Sequence, residues 1–149
     1  MNQVTLNIAG VDRTFFIGLA TWNEYVLMRN DRAYERKELP TVIKDQESGE
    51  ETVKTELSFV DVLKHMDNGN KYFLEANRDF MYCALKADCQ RNRKVVDFSV
   101  YEVGEWLNEM PQEDYQAIMK AVQQSKYLGK TWDEWQQVVA STLVNQIDK

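Results

Sequence analysis

The chain contains one histidine and two cysteines, the residue types that most often supply nucleophilic catalysis or bind transition metals. His65 lies near the end of a predicted short helix, where the helix dipole favours a cation, and the sequence identifies neither a nucleophile nor an orienting group for it. Cys83 and Cys89 are six residues apart, which on a helix is a rotation of about 240°. We therefore predict a structural histidine and two buried free thiols.

Carboxylates and glycines do not form a catalytic pattern either. The acidic pairs Glu50–Glu51 and Glu113–Asp114 fall on a predicted loop and a predicted helix start, whereas acid–base catalysis needs a cleft that separates two pKa values. The His, Cys and acidic residues lack metal-ligand spacing, and the six glycines are isolated rather than grouped in a phosphate-binding loop. The sequence therefore predicts a protein that is not an enzyme and has no cofactor, metal or catalytic residues.

The charge distribution argues against nucleic-acid binding. The 149 residues carry 18 Lys and Arg against 24 Asp and Glu, and residues 95–149 contain only 4 basic residues against 9 acidic ones. The one basic cluster, Arg91, Arg93 and Lys94, follows a long apolar helix whose negative C-terminal end it would complement. Duplex binding needs a broader basic surface, so a small nucleic-acid-binding regulator is our third hypothesis.

The last segment contains a conspicuous apolar stripe. Trp132, Trp135, Val139 and Leu143 lie on one side of a predicted amphipathic helix over residues 131–147. Such a stripe is either the last part of the core, which we favour, or an arm that binds a partner. In the second interpretation these four residues are the partner-binding site, and residues 127–130 before them act as a hinge.

The beginning of the chain predicts a β-hairpin over residues 4–17, with its turn at residues 9–12. A capping box formed by Thr21 and Glu24 predicts that the first helix begins there. We expect the apolar side of that helix, which includes Trp22, to rest on the hairpin.

Residues 30–57 form a polar interval in which two short β-type segments flank an acidic turn. A second, exposed hairpin and a mobile loop are equally compatible with this pattern.

A helical body is predicted for residues 58–128, and its most apolar helix extends from about Tyr72 to Gln90, with Leu74 beside the apolar stripe. With the terminal helix, these elements predict an α+β fold that is mainly α, in which a short N-terminal β-hairpin precedes a helical bundle. The length is typical of a single domain over residues 1–149. Because no apolar run approaches a membrane span and no signal peptide is recognisable, we expect a cytoplasmic location.

The order of these elements and the segment Val103–Tyr115 (VGEWLNEMPQEDY) resemble the tail assembly chaperones of long-tailed bacteriophages. Those proteins have a similar length and an acidic helical second half. Their sequences commonly contain a short helix, an apolar-Pro or Thr-Pro junction, acidic residues and then an aromatic residue. The resemblance covers residues 1–130 in outline.

The resemblance implies a non-enzymatic role in the cytoplasm of the bacterial host. Such chaperones coat the long, helical tape measure protein and then help to recruit tail tube subunits, which displace them. In many of these phages a frameshifted, longer form adds the tube-recruiting domain, and this chain would be the short form.

General features of the chain are compatible with that role. Its 6 methionines and 17 aromatic residues are adaptable side chains for weak binding of helices. The unpaired edge of the N-terminal hairpin is a candidate contact for homo-oligomers. The alternative function is a structural tail completion or tube-associated protein that stays in the virion.

Overall fold

The computed structural model describes the backbone of residues 2–147 and the side chains of residues 2–141. Within that part of the chain, three two-stranded hairpins alternate with six helices, which confirms the predicted α+β, mainly α fold. The elements in chain order are β1 (Gln3–Ile8), β2 (Val11–Phe16), α1 (Leu19–Glu35), β3 (Thr41–Lys44), β4 (Glu51–Lys54), α2 (Phe59–Lys64), α3 (Phe73–Arg91), α4 (Val100–Glu109), α5 (Gln112–Gln123), β5 (Lys126–Tyr127), β6 (Lys130–Thr131) and α6 (Trp132–Ile147).

The N-terminal hairpin is present but its turn is tighter than predicted. Only Ala9 and Gly10 lie between the strands, both with positive φ (51° and 85°), as in the two-residue turns that match the twist of hairpin strands. β2 therefore begins at Val11, opposite Ile8. The apolar face of the hairpin, with Phe15 buried, packs against α3 and α5.

Helix α1 begins earlier than the predicted capping box, at Leu19. The hydroxyl of Thr21 accepts a hydrogen bond from the Gly18 N–H (3.2 Å) and donates one to the Phe16 carbonyl (2.6 Å), so Thr21 is the third residue of the helix rather than its cap. The prediction that α1 rests on the hairpin was also wrong. Its principal neighbour is α3, because the hairpin already packs on another part of α3.

Of the two predicted alternatives for the polar interval, an exposed hairpin and a mobile loop, the structure has the hairpin. β3 and β4 pair in antiparallel register, with Val42 opposite Val53. Both valines are more than half exposed, so this hairpin extends from the body with its apolar side chains in contact with solvent.

Helix α3 is the centre of the molecule, as its apolar stripe predicted. Ala76, Phe80 and Ala84 are fully buried, and the helix packs against α1, α4 and β2. Leu74 is the exception to that prediction, since its side chain is 81% exposed. No helix within residues 2–147 is long and apolar enough to cross a bilayer.

Candidate functional site

The predicted partner-binding stripe of the last helix faces the body of the protein. The Trp132 ring stacks on Trp22 at 6.1 Å between centroids, and the Trp135 ring meets Phe59 edge-on at 4.6 Å. Val139 is buried. The side chain of Leu143 lies outside the described residues. In this conformation the three described side chains contribute to internal packing, and partner binding by the stripe stays a prediction.

The predicted hinge is a short hairpin with its own anchors. Residues 127–130 form the turn between β5 and β6. The Tyr127 ring stacks on Phe59 at 4.2 Å, its hydroxyl donates to the Asn23 side chain, and its carbonyl accepts a hydrogen bond from the Trp135 indole N–H (2.9 Å). These contacts hold α6 against α1 and α2 rather than leaving it free to swing.

His65 is structural but not cationic. Its Nδ1 accepts a hydrogen bond from Arg29 Nε (3.2 Å), and burial together with the Arg29 charge lowers the pKa of His65 to about 4. The predicted stabilisation of an imidazolium by the helix end is therefore wrong, because desolvation and a neighbouring cation both favour the neutral ring.

The thiols match their prediction. Cys83 and Cys89 are buried and free, and burial raises the pKa of Cys83 to about 12. A thiol with so high a pKa is a poor nucleophile at neutral pH. Among the described residues, no group of three or more His, Cys, Asp or Glu side chains has the proximity needed to hold a metal ion.

The basic cluster after α3 is largely occupied by contacts within the chain. The Arg91 guanidinium lies 3.8 Å from the centroid of the Phe16 ring and donates to Gln3, and Lys94 Nζ lies 3.6 Å from an Asp88 carboxylate oxygen. Arg93 is exposed. Two of the three cations are therefore used to fasten the end of α3, which supports the structural interpretation of this cluster.

A buried charge network, which was not predicted from the sequence, joins α1 to α3. Arg29 Nη1 lies 3.0 Å from Asp79 Oδ2, and the two side chains are 1% and 0% exposed. Arg32 adds a second, forked interaction with both Asp79 oxygens (2.7 and 3.0 Å). Both oxygens of this carboxylate therefore have charged hydrogen-bond partners, which is the condition under which a buried charge is tolerated.

The network continues towards the surface through Glu75. Its carboxylate accepts hydrogen bonds from Arg29 (2.6 Å) and from Arg36. Burial acts to raise the pKa of Glu75, but these hydrogen bonds from Arg36 and Arg29 outweigh it and lower that pKa. The sequence signal was present: arginines at 29, 32 and 36 share one side of α1, and acids at 75 and 79 share one side of α3. Only the packing of α1 on α3 shows that these two sides meet.

An adjoining side of the N-terminal half of α3, which shares Glu75 with the charge network, borders an open groove of about 760 Å³. Apolar side chains dominate it, and Leu74, which is 81% exposed, extends into solvent at its edge. The lining comes from α3, α4 and α5, and consists of Phe73, Leu74, Glu75, Asn77, Arg78, Gly104, Leu107, Asn108 and Tyr115.

Two polar side chains in the groove are engaged with each other. The Tyr115 hydroxyl donates to Asn77 Oδ1 (3.4 Å), and Asn77 Nδ2 donates to the Phe73 carbonyl (2.8 Å). Burial raises the pKa of Tyr115, so its hydroxyl is neutral at physiological pH. These groups give the groove polar contacts without an exposed charge at that position.

Arg78 is the one charged side chain of the lining that is loosely paired. Its only ion pair among the described residues is a 3.4 Å contact from Nη2 to Asp79 Oδ1, an atom that Arg32 already occupies at 3.0 Å. Its Nε is buried without a hydrogen-bond partner in the described part of the chain. The guanidinium lies 5.7 Å from the ring of Tyr101, which is 73% exposed. The groove thus combines an apolar surface with a cation that has unused donors.

An apolar groove between helices is the type of surface on which an amphipathic helix binds. No protein-family model matches the chain, and neither a curated protein nor a solved structure is significantly similar to it.

Proposed function

We propose that this protein is a non-enzymatic assembly chaperone for phage tails, which binds the helices of the tape measure protein until tail tube subunits are recruited. The observation that supports the proposal is the groove between α3, α4 and α5, with Leu74 exposed at its edge. Large apolar side chains exposed beside a groove are typical of surfaces that bind other proteins. The work of such a chaperone takes place in the host cytoplasm, where we place the protein.

The surroundings of the groove suit transient binding. α4 and the start of α5 contribute acidic residues, among them Glu105 and Glu113, which are exposed. A coated assembly with net negative charge repels its neighbours and resists aggregation. The groove is also open rather than enclosed, so a bound helix can be displaced by a competing subunit.

The direct test is co-expression with the partner that the proposal names, a long helical tape measure protein of the same tail. If the proposal is correct, that protein becomes soluble and co-purifies with this chain. The chain is afterwards absent from purified particles, whereas a structural tail component would remain in them.

Matched variants locate the binding site. Leu74→Gln removes an exposed apolar side chain from the groove, and Leu27→Gln makes the same change on α1, where Leu27 is 61% exposed and outside the groove. We expect Leu74→Gln to reduce co-purification several-fold and Leu27→Gln to leave it unchanged.

The remaining outcomes are equally informative. If the wild-type chain co-purifies with nothing, the chaperone proposal is wrong. If both variants retain the partner, the chaperone role stands but the groove does not carry it, and the stripe of Trp132 and Trp135 becomes the site to test.

A further inference from the structure

We infer that the groove selects amphipathic helices that carry a carboxylate beside their apolar stripe, and that Arg78 is the residue that recognises this carboxylate. The inference rests on the proposed function, since it names the chemistry of the helix that the chaperone binds. The occupant of the groove is a helix of another protein, with leucine-like side chains facing Leu74 and Leu107 and an Asp or Glu facing the Arg78 guanidinium.

The first argument is the balance of charges in the lining. Two charged residues border the groove, Glu75 and Arg78. Glu75 is already paired with Arg29 and Arg36, so its charge is balanced within the chain. Arg78 has only the long contact to Asp79, whose oxygens have closer partners. Among the lining residues the unbalanced charge is therefore positive and lies at Arg78, whereas Glu105 and Glu113 lie outside the lining, so the group complementary to this position is negative.

The second argument is the unused hydrogen-bonding capacity of Arg78. A guanidinium has five N–H donors arranged to bind a carboxylate in two parallel hydrogen bonds. In Arg78, Nε is buried and out of reach of a ligand, whereas the terminal nitrogens belong to a side chain that is 22% exposed, and one of them makes only a long contact of 3.4 Å. A carboxylate that meets these terminal N–H groups forms charge-assisted hydrogen bonds, which are stronger than the long contact that Asp79 provides.

The third argument is that two residues of α4, Gly104 and Tyr101, fix the position of the Arg78 side chain. A Cβ atom placed on Gly104 would lie 3.1 Å from Arg78 Cδ, which is closer than an ordinary carbon contact. The absence of a side chain at residue 104 thus leaves room for the Arg78 stem to lie against α4. Tyr101, one turn earlier on α4, holds the guanidinium by a cation–π contact at 5.7 Å. The cation is positioned at the groove rather than free in solvent.

The test is selection from a displayed library of amphipathic helices of about 20 residues, long enough to be helical when stabilised by binding. Leucines occupy the apolar stripe, and the positions beside the stripe are randomised. The inference predicts that Asp and Glu are enriched at one of these positions. Selected helices synthesised as peptides with Glu should bind about five to ten times more tightly than the same peptides with Gln, as expected for a partly screened ion pair.

Substitution of Arg78 separates charge recognition from apolar binding. Arg78→Gln should abolish the preference for Glu over Gln while the Gln peptide binds as before, and Arg78→Glu should transfer the preference to Lys. Arg93→Gln, the same change at an exposed arginine outside the groove, is the control and should keep the preference. High salt of about 0.5 M should weaken binding of the Glu peptide but not of the Gln peptide.

Gly104→Ala provides a variant that keeps both the charge and the fold. Alanine favours a helix more than glycine does, by about 1 kcal/mol, so the protein should fold at least as well. The added methyl group should displace Arg78 and reduce the preference for Glu severalfold. Circular dichroism and thermal unfolding of each variant confirm that lost preference does not reflect lost structure.

Three results would overturn the inference. Binding of peptides without a preference for acidic residues leaves the helix-binding function intact and removes the role of Arg78. The absence of any selected helix rejects the groove as a helix site altogether. A wild-type protein that dimerises, and becomes monomeric with Leu74→Gln, assigns the groove to a second copy of the chain.

Discussion

Helix α3 carries charged residues on two sides, and the two sides differ in how completely those charges are paired. Towards α1, Asp79 is fully buried and is held by Arg29 and Arg32 at distances of 2.7 to 3.0 Å. Towards α4, Arg78 has a buried Nε without a partner among the described residues and a single contact at 3.4 Å. These two residues are adjacent in the sequence, yet one belongs to the interior and the other borders a groove.

The comparison separates structural charge from charge that is available for binding. A buried ion pair is expensive to form, so it persists only when each donor and acceptor is satisfied, and it then fixes how two helices pack. A positioned cation with unused donors beside an exposed leucine does not stabilise the fold in that way. The presence of charge therefore says less about function than the completeness of its pairing.

The largest expected effect is on the interior side. Asp79→Ala removes the fully buried carboxylate that pairs with both Arg29 and Arg32, and we expect the free energy of unfolding to fall by about 3 to 5 kcal/mol. Urea denaturation followed by circular dichroism measures this change. Asp31→Ala, which removes an exposed carboxylate from α1, is the control and should have an effect below about 0.5 kcal/mol. A loss under about 1 kcal/mol for Asp79→Ala would show that the network is not structural.

The second effect concerns the aromatic cluster that extends from the interior side of α3 through Trp22 to α6. Trp132→Ala removes a ring that stacks on Trp22, and Trp22 in turn contacts Phe80. Since Trp132 is only partly buried, we expect a loss of about 2 to 3 kcal/mol, below the usual cost for a core tryptophan. Gln137→Ala, an exposed change on the same helix, should be neutral. Unchanged stability of Trp132→Ala would instead support the interpretation of α6 as a free arm.

The third effect is a dependence of stability on pH. The folded protein lowers the pKa of His65 to about 4 from an unperturbed value of 6.5, so the unfolded state binds more protons as the pH falls through this interval. The contribution of the neutral His65 ring to the free energy of unfolding should therefore be fully present above about pH 7. It should decrease towards pH 4, by about 1 to 2 kcal/mol after allowance for solvent screening.

Unfolding curves at pH 7, 6 and 5 measure this slope, which precedes most carboxylate protonation. His65 is the single histidine of the chain, so His65→Gln should flatten the curve in this range. A slope that persists in that variant would assign the effect to other groups.

The smallest effect on stability is expected on the groove side of α3, where two leucines of the same helix can be compared directly. Leu74→Ala and Leu85→Ala make the same change on one helix, but the two leucines are 81% and 2% exposed. We expect Leu74→Ala to change stability by less than about 0.5 kcal/mol and Leu85→Ala to cost about 2 to 5 kcal/mol. Similar losses in thermal unfolding would mean that Leu74 is part of the core and that the groove is not a free surface.

Much of the fold could be predicted because its signals are local. Ser58 accepts a hydrogen bond from the Asp61 N–H and so caps α2, and Thr131 with Glu134 caps α6, in each case through a residue three positions further along the chain. The start of α1 was mispredicted for the same reason, since Thr21 also carries a capping signature. Its hydroxyl instead bonds to Gly18 and to Phe16, and the carbonyl of Phe16 is placed there by the preceding strand.

The site could not be predicted in the same way. Sequence analysis directed attention to the tryptophans of α6, because an apolar stripe has the same pattern whether it faces the core or a partner. Their contacts with Trp22 and Phe59 are decided by the position of α6 on α1 and α2. Leu74 was predicted to lie with the core stripe of α3, and its exposure depends on where α4 and α5 lie relative to that helix.

The sequence by itself determined the first hairpin, the existence of the helices and the central place of α3. These features depend on the periodicity of apolar residues, turn residues and caps, which act over a few neighbouring positions. The tertiary structure alone decided which side of each helix is covered, and hence that Asp79 is buried between two arginines while Arg78 faces a groove. The physical reason is that burial and charge pairing depend on residues far apart in the chain, and helical periodicity does not specify which helices become neighbours.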